Sequence, residues 1–156
     1  MITPRGVIHA ALRHQGAPYL WKGKGLHLWT PSGLQGNGLD GVWAFDCSGL
    51  VTVALHDAGG PDWRAAHNAD SLYRLLEPEQ NPNAWGCLRF YGTLTRATHI
   101  AIALGNELVL EAGGGDQRTT SLELARRQGA RVRVVFDTRK DLLGARKLPL
   151  SPPVRS

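Results

Sequence analysis

Cysteine is scarce in this chain of 156 residues, which has only Cys47 and Cys87. Two widely separated thiols without Cys-x-x-Cys spacing exclude a disulfide-stapled scaffold and give no zinc-binding pattern. Long apolar runs are missing as well: none approaches the ~18 residues of a membrane-spanning helix, so no membrane span is expected. The opening Met1-Ile2-Thr3-Pro4-Arg5-Gly6 lacks the apolar stretch of a secretory signal, so the expectation is synthesis in the cytoplasm without a signal peptide. Acidic residues thin out toward the C-terminus. Residues 118–156 hold 10 Lys or Arg against 3 Asp or Glu, whereas residues 1–117 hold 8 against 10. A basic region of this kind suits nucleic acid, an anionic envelope or an acidic protein face, and most simply a solvated edge. No nucleic-acid-binding motif accompanies it, and no nucleic-acid partner is expected.

What is present suits one globular domain. Hydrophobic residues make up 42% of the chain, with 19 Gly and 9 Pro as punctuation. A domain of this length buries roughly 70% of its extended-chain surface and needs neither metal nor disulfide for stability. The expected organisation is a single domain over residues 1–147, followed by a loosely ordered, Pro-containing tail over 148–156.

Val7, Ile8, Ala11 and Leu12 recur at helical spacing within 5–15, and Gly16-Ala17-Pro18 ends that pattern. Residues 19–44 are rich in glycine and carry Trp21, Trp29 and Trp43, which predicts a long loop with aromatic anchors. Asp46 then caps a helix whose Leu50, Val51, Ala54, Leu55 and Ala58 recur at spacings of three and four before Gly59-Gly60. A shorter helix is expected over 68–76, and another over 121–128 from the capping-box spacing of Thr120 and Glu123. Strands are predicted over 87–91, 99–104, 108–112 and 131–136, with Gly105-Asn106 as the turn between the second and third. Helices first and an antiparallel sheet afterwards make an α+β fold, with N-terminal helices packed on a central antiparallel sheet.

The first chemistry-bearing candidate sits at the start of that second helix. Cys47 falls at its first turn, where unpaired N–H groups and the helix dipole favour a thiolate nucleophile. A lone cysteine is otherwise an ordinary small core residue. Of the six histidines, His99 alone leads a strongly apolar strand, Ile100-Ala101-Ile102-Ala103-Leu104, and is the candidate base. Glu111, on the next strand, is placed to orient the imidazole. A two-residue Gly105-Asn106 loop would put His99 and Glu111 on opposite sheet faces, whereas an odd loop, such as Leu104 to Asn106, puts them on one face and can set them directly opposite. The odd loop is expected, with Asp116 and Gln117 as the fallback orienting residues.

The blocks Gly16-Ala17-Pro18-Tyr19-x-Trp21, Phe45-Asp46-Cys47-Ser48-Gly49-Leu50-Val51 and Thr98-His99-Ile100-Ala101-Ile102-Ala103-Leu104-Gly105-Asn106 resemble the NlpC-type cell-wall peptidases. The resemblance runs in order over residues 5–136. It implies a papain-like α+β fold in which Cys47 attacks an amide carbonyl, His99 acts as base and acid, and Glu111 orients His99. It also implies that Tyr19 lies beside the nucleophile and that Asp46 and Ser48 line the substrate pocket, with no cofactor. Three departures stand out. Lys22-Gly23-Lys24-Gly25 replaces the paired glycine that usually follows the Trp, Trp85-Gly86-Cys87-Leu88 replaces Pro-Gly-Asp-Leu, and the third catalytic position is Glu.

The expected activity is peptidoglycan hydrolysis by a cysteine endopeptidase, cutting the stem peptide beside D-glutamate through a thioester. The alternatives are an N-acetylmuramoyl-L-alanine amidase-type lytic enzyme and a non-catalytic papain-like binding or assembly module. The expected partner is the stem peptide of the cell wall. Phage-tail or secretion-machine components, or an immunity protein, are the further partners that delivery to the wall or periplasm would imply.

Overall fold

The computed structural model describes residues 2–149. Helix α1 (Pro4–Leu12) starts where the Thr3 hydroxyl accepts the Gly6 N–H and Pro4 supplies a preset φ. It buries Val7, Ile8, Ala10 and Ala11. The glycine-rich stretch predicted as loop instead forms four short strands: β1 (Lys24–Gly25), β2 (His27–Thr30), β3 (Gly33–Gly36) and β4 (Ala44–Phe45). β1 pairs with β4 and β2 with β3, both antiparallel. Strands of two to four residues are too short to register as alternation, which explains the difference.

Helix α2 (Cys47–Asp57) lies within a residue of expectation. The Asp46 carboxylate caps it by accepting the Gly49 N–H at 2.6 Å. Its residues from Cys47 to Leu55 are all buried, so it is the central helix, enclosed on every side rather than along one stripe. Helix α3 (Ala69–Leu75) carries a reciprocal cap between Asn68 and Ser71. Helix α4 (Leu122–Gln128) is capped by Ser121, not Thr120, and ends at Gly129 in the left-handed region.

The remaining strands are β5 (Pro78–Glu79), β6 (Leu88–Thr93), β7 (Arg96–Gly105), β8 (Leu108–Gly113), β9 (Arg131–Phe136) and β10 (Leu142–Arg146). They form one antiparallel sheet of order β5-β10-β6-β7-β8-β9. The α+β expectation therefore holds. Phe90, Ile100, Ile102, Leu110, Ala112 and Val132 join Leu50, Val51, Ala54 and Leu55 of α2 in one core. Tyr91, Ala101 and Val109 form a separate cluster. Leu148 is buried in the main core, so the expected loose tail is anchored at its first residue. Residues 150–156, the rest of that tail, lie outside the described residues.

Two irregularities in β7 decide what the site can be. Tyr91 pairs with His99 and Gly92 with Ala97, leaving Thr98 as an extra residue that kinks the strand just before His99. At the other end Ala103 pairs with Val109 and Gly105 with Leu108, leaving Leu104 as a second extra residue. The turn is Asn106-Glu107, one position later than Gly105-Asn106, with both residues at positive φ. The two-residue turn plus the bulge sets the face parity that an odd loop would have produced.

Candidate active site

Cys47 begins α2 with its side chain largely covered, and its Sγ lies 3.9 Å from the Thr98 carbonyl of the β7 kink. The first turn of a helix leaves its N–H groups without intrahelical acceptors, and Cys47 stands in that turn. Both cysteines are free.

His99 and Glu111 meet as expected: His99 Nε2 donates to Glu111 Oε1 at 2.8 Å. They are not directly opposite. Continuing the pairing of Ile102 with Leu110 places Ala101 against Glu111 and Gly113 against His99, so the contact is diagonal on a shared face. Gly113 makes the diagonal possible, because a Cβ there would fall 2.1 Å from Glu111 Oε2. The other carboxylate oxygen is held by Arg133, whose Nε and Nη2 lie 3.0 and 2.9 Å from Oε2. Glu111 is thus divided, one oxygen to the imidazole and one to the guanidinium.

Burial by itself would discharge His99. Hydrogen bonds and charges from Cys47 and Glu111 outweigh it and raise the imidazolium pKa to about 9. Burial pushes the Glu111 carboxyl upward, but His99 and Arg133 together hold it below the usual carboxylate range. The Tyr91 ring, 5.6 Å from the imidazole, backs it, and its hydroxyl donates to Asp137, itself paired with Arg89 at 2.9 Å.

Tyr19 is buried and lines the same groove as Cys47. Burial, reinforced by the Cys47, Asp46 and Asp116 charges, raises its pKa strongly, so the hydroxyl keeps its proton and remains a donor. Asp46 and Ser48 also line the groove, but neither side chain is open. Lys24 Nζ donates to Asp46 Oδ1 at 2.9 Å and to Ser48 Oγ at 2.8 Å, with Lys24 only 4% exposed. Asp116 accepts the Arg118 N–H at 2.7 Å and makes no bond to His99, so the fallback orienting role passes to neither Asp116 nor Gln117.

Lys24, Arg133 and Tyr91 were not anticipated. The alternation Arg131-Val132-Arg133 was a usable signal for Arg133, since it puts that side chain on the face of Glu111, its cross-strand partner. Lys24 sits between glycines, where a lysine normally reads as solvated, and nothing in the sequence announces its burial.

The groove has a volume of about 880 Å³ and is walled by α2, the β7 kink, the segments around Tyr19 and Lys24, and the Gly115–Arg118 loop. Among the described residues no helix is long and apolar enough to cross a membrane, and no cluster of His, Cys, Asp and Glu could hold a metal ion.

Comparison with known proteins agrees with this architecture. Among solved structures, the P60 domain of an antigen from Mycobacterium avium subspecies paratuberculosis is 24% identical, with a TM-score of 0.63 and 92% of each chain covered. RipD from Mycobacterium tuberculosis, described as a non-catalytic NlpC/p60 domain protein adapted to peptidoglycan binding, is 24% identical with a TM-score of 0.63, covering 94% of this chain and 97% of RipD. The peptidoglycan hydrolase RipB from Mycobacterium tuberculosis is 24% identical with a TM-score of 0.57, covering 96% of this chain and 65% of RipB. These likenesses concern the fold. No curated protein matches the chain. The model of the NlpC/P60 family matches residues 16–134, most of the length, and the chain belongs to the NlpC/P60 family.

Proposed function

We propose that this chain is a peptidoglycan hydrolase, a cysteine endopeptidase that cuts an amide bond of the wall's stem peptide beside D-glutamate. The observation that carries this reading is the placement of Cys47 at a helix N-terminus, in one groove with an imidazole already held by Glu111. A module that only bound its ligand would have no need of a buried, charge-stabilised imidazole beside a thiol. RipD, a non-catalytic relative, shows that the fold also serves binding, so the side chains carry the distinction.

In this mechanism Glu111 holds Nε2 of His99, and the proton that Cys47 gives up resides on Nδ1 of the imidazolium. Sγ attacks the scissile carbonyl, and the resulting oxyanion is met by the Cys47 N–H and the Tyr19 hydroxyl. The imidazolium returns its proton to the leaving amine as the C–N bond breaks. Water, deprotonated by His99, then hydrolyses the thioester and frees Sγ. No step calls for a cofactor. The site of action is the bacterial cell wall, with delivery by a phage or a secretion machine as part of the same proposal. Digestion of defined wall peptides by the native protein and by Cys47→Ala tests it.

A further inference from the structure

The groove around Cys47 is strongly asymmetric in charge. Six Lys or Arg side chains line it against two carboxylates, Asp46 and Asp116. Four of the six cations are occupied. Lys24 is paired with Asp46, Arg64 with Asp62 at 2.8 Å, Arg139 with Asp141 at 2.9 Å, and Lys22 lies over the Trp29 ring. Arg96, at the start of β7, and Arg118, in the loop after β8, are exposed, and among the described residues neither guanidinium has an acceptor. Neither guanidinium makes a close ion pair with a described residue, although Arg96 lies within the field of Asp70, and both present forks that match carboxylates.

Lys24 sharpens the asymmetry. Asp46 is the carboxylate next to the nucleophile, and its Oδ1 already receives Lys24 Nζ, Ser48 Oγ and the Gly49 N–H. That wall of the groove therefore offers no uncompensated negative charge to a substrate ammonium. Its charge is balanced from within the chain, so the charges without an ion-pair partner among the described lining residues are Lys22, Arg96 and Arg118 against Asp116, a positive excess.

We infer that the groove selects wall peptides bearing free carboxylates over the same peptides with those carboxylates amidated, and that Arg96 and Arg118 are the residues that set this selectivity. The inference rests on the proposed reading of the groove as a stem-peptide site and adds the charge state of the substrate it prefers. Exposed ion pairs are individually weak and screened by salt, so the preference is modest and shrinks as ionic strength rises.

The test is calorimetric titration of Cys47→Ala protein with two synthetic stem peptides that differ only in whether the D-glutamate α-carboxyl is free or a carboxamide. Arg96→Gln and Arg118→Gln are then added singly, with thermal unfolding as a control for folding. The expected result is about tenfold tighter binding of the acid, with the ratio reduced at least about threefold by each substitution and by a rise in salt. Acid and amide binding within about twofold of each other, binding of neither at millimolar concentration, or a ratio unchanged in both variants overturns the inference. Turnover by the native protein separates the two readings. Selective binding without any hydrolysis sinks the hydrolase and leaves the selectivity, whereas hydrolysis that ignores amidation does the reverse.

Discussion

His99 and Glu111 are joined by a 2.8 Å hydrogen bond that runs diagonally across β7 and β8, over a glycine whose missing side chain leaves room for it. The contact depends on two bulges and a turn. The Thr98 bulge kinks the chain before the imidazole, while the Leu104 bulge and the Asn106-Glu107 turn bring the carboxylate onto the same face. The sheet therefore presents the pair already assembled beside the N-terminus of α2.

Cys47 and Glu111 together keep the proton on His99 into the alkaline range against the effect of burial, and the Glu111 share can be checked. The imidazolium pKa lies at about 9, raised in part by Glu111 against the effect of burial. In the proposed mechanism the protonated ring is the acid for the leaving amine, so activity should fall as pH rises through about 9. Glu111→Gln removes the negative charge, lowers the His99 pKa and moves the alkaline limb to lower pH. A loss in kcat of about 100-fold near neutral pH is expected, the lower range of general acid–base contributions. A pH–rate profile of the two proteins reads both effects.

Arg133 holds Glu111 and does not line the groove, so in the proposed mechanism it is a positioning residue. Arg133→Gln should lower kcat about 3- to 10-fold with KM unchanged, the scale of one lost charge-assisted contact. Without the guanidinium the Glu111 pKa rises, so the acid-side loss of activity should begin at higher pH than in the native protein. Arg133→Lys restores the charge without the fork and should recover part of kcat. A change in KM alone would contradict this positioning role.

Lys24 and Asp46 form a buried pair whose members cannot be removed singly without cost. Lys24→Met leaves the capping carboxylate of α2 uncompensated beside Ser48, and about 3–5 kcal/mol of stability should be lost. Urea denaturation measures it, and an unchanged midpoint would mean that the pair is not buried in solution.

The two thiols should differ sharply in reactivity. Burial, with the nearby Glu79 charge, pushes the Cys87 thiol up to about 11, and its Sγ faces the Asn81 and Pro82 carbonyls. Near neutral pH one equivalent of iodoacetamide should be consumed at Cys47 and almost none at Cys87. Peptide mapping after brief labelling shows which sulfur reacted, and preferential labelling of Cys87 would contradict the account.

Much of the framework was legible because local signals agreed. Asp46, the three-and-four spacing after it and Gly59-Gly60 together delimit α2 to within a residue, and Cys47 is placed at its start with no knowledge of the rest. The pairing of His99 with Glu111 could be anticipated only conditionally, because face parity depends on a bulge that no residue type at Leu104 specifies. β10 escaped notice because Leu142–Arg146 carries a glycine and too few alternating residues to read as a strand. Lys24 lay beyond local reasoning, since its partner Asp46 is 22 residues away and meets it only in the folded chain, whereas the strand alternation around Arg133 already hinted at its face.

The most direct measurement of the central claim is mass-spectrometric analysis of defined stem peptides after incubation with the native protein and with Cys47→Ala. The account predicts paired fragments from cleavage at one amide bond beside D-glutamate with the native protein. It predicts at least a roughly 1,000-fold lower rate with Cys47→Ala at matched stability, as expected when the nucleophile of a cooperating set is removed. Undiminished cleavage by Cys47→Ala, or intact peptides after prolonged incubation with native protein whose Cys47 is free and reactive, would contradict it.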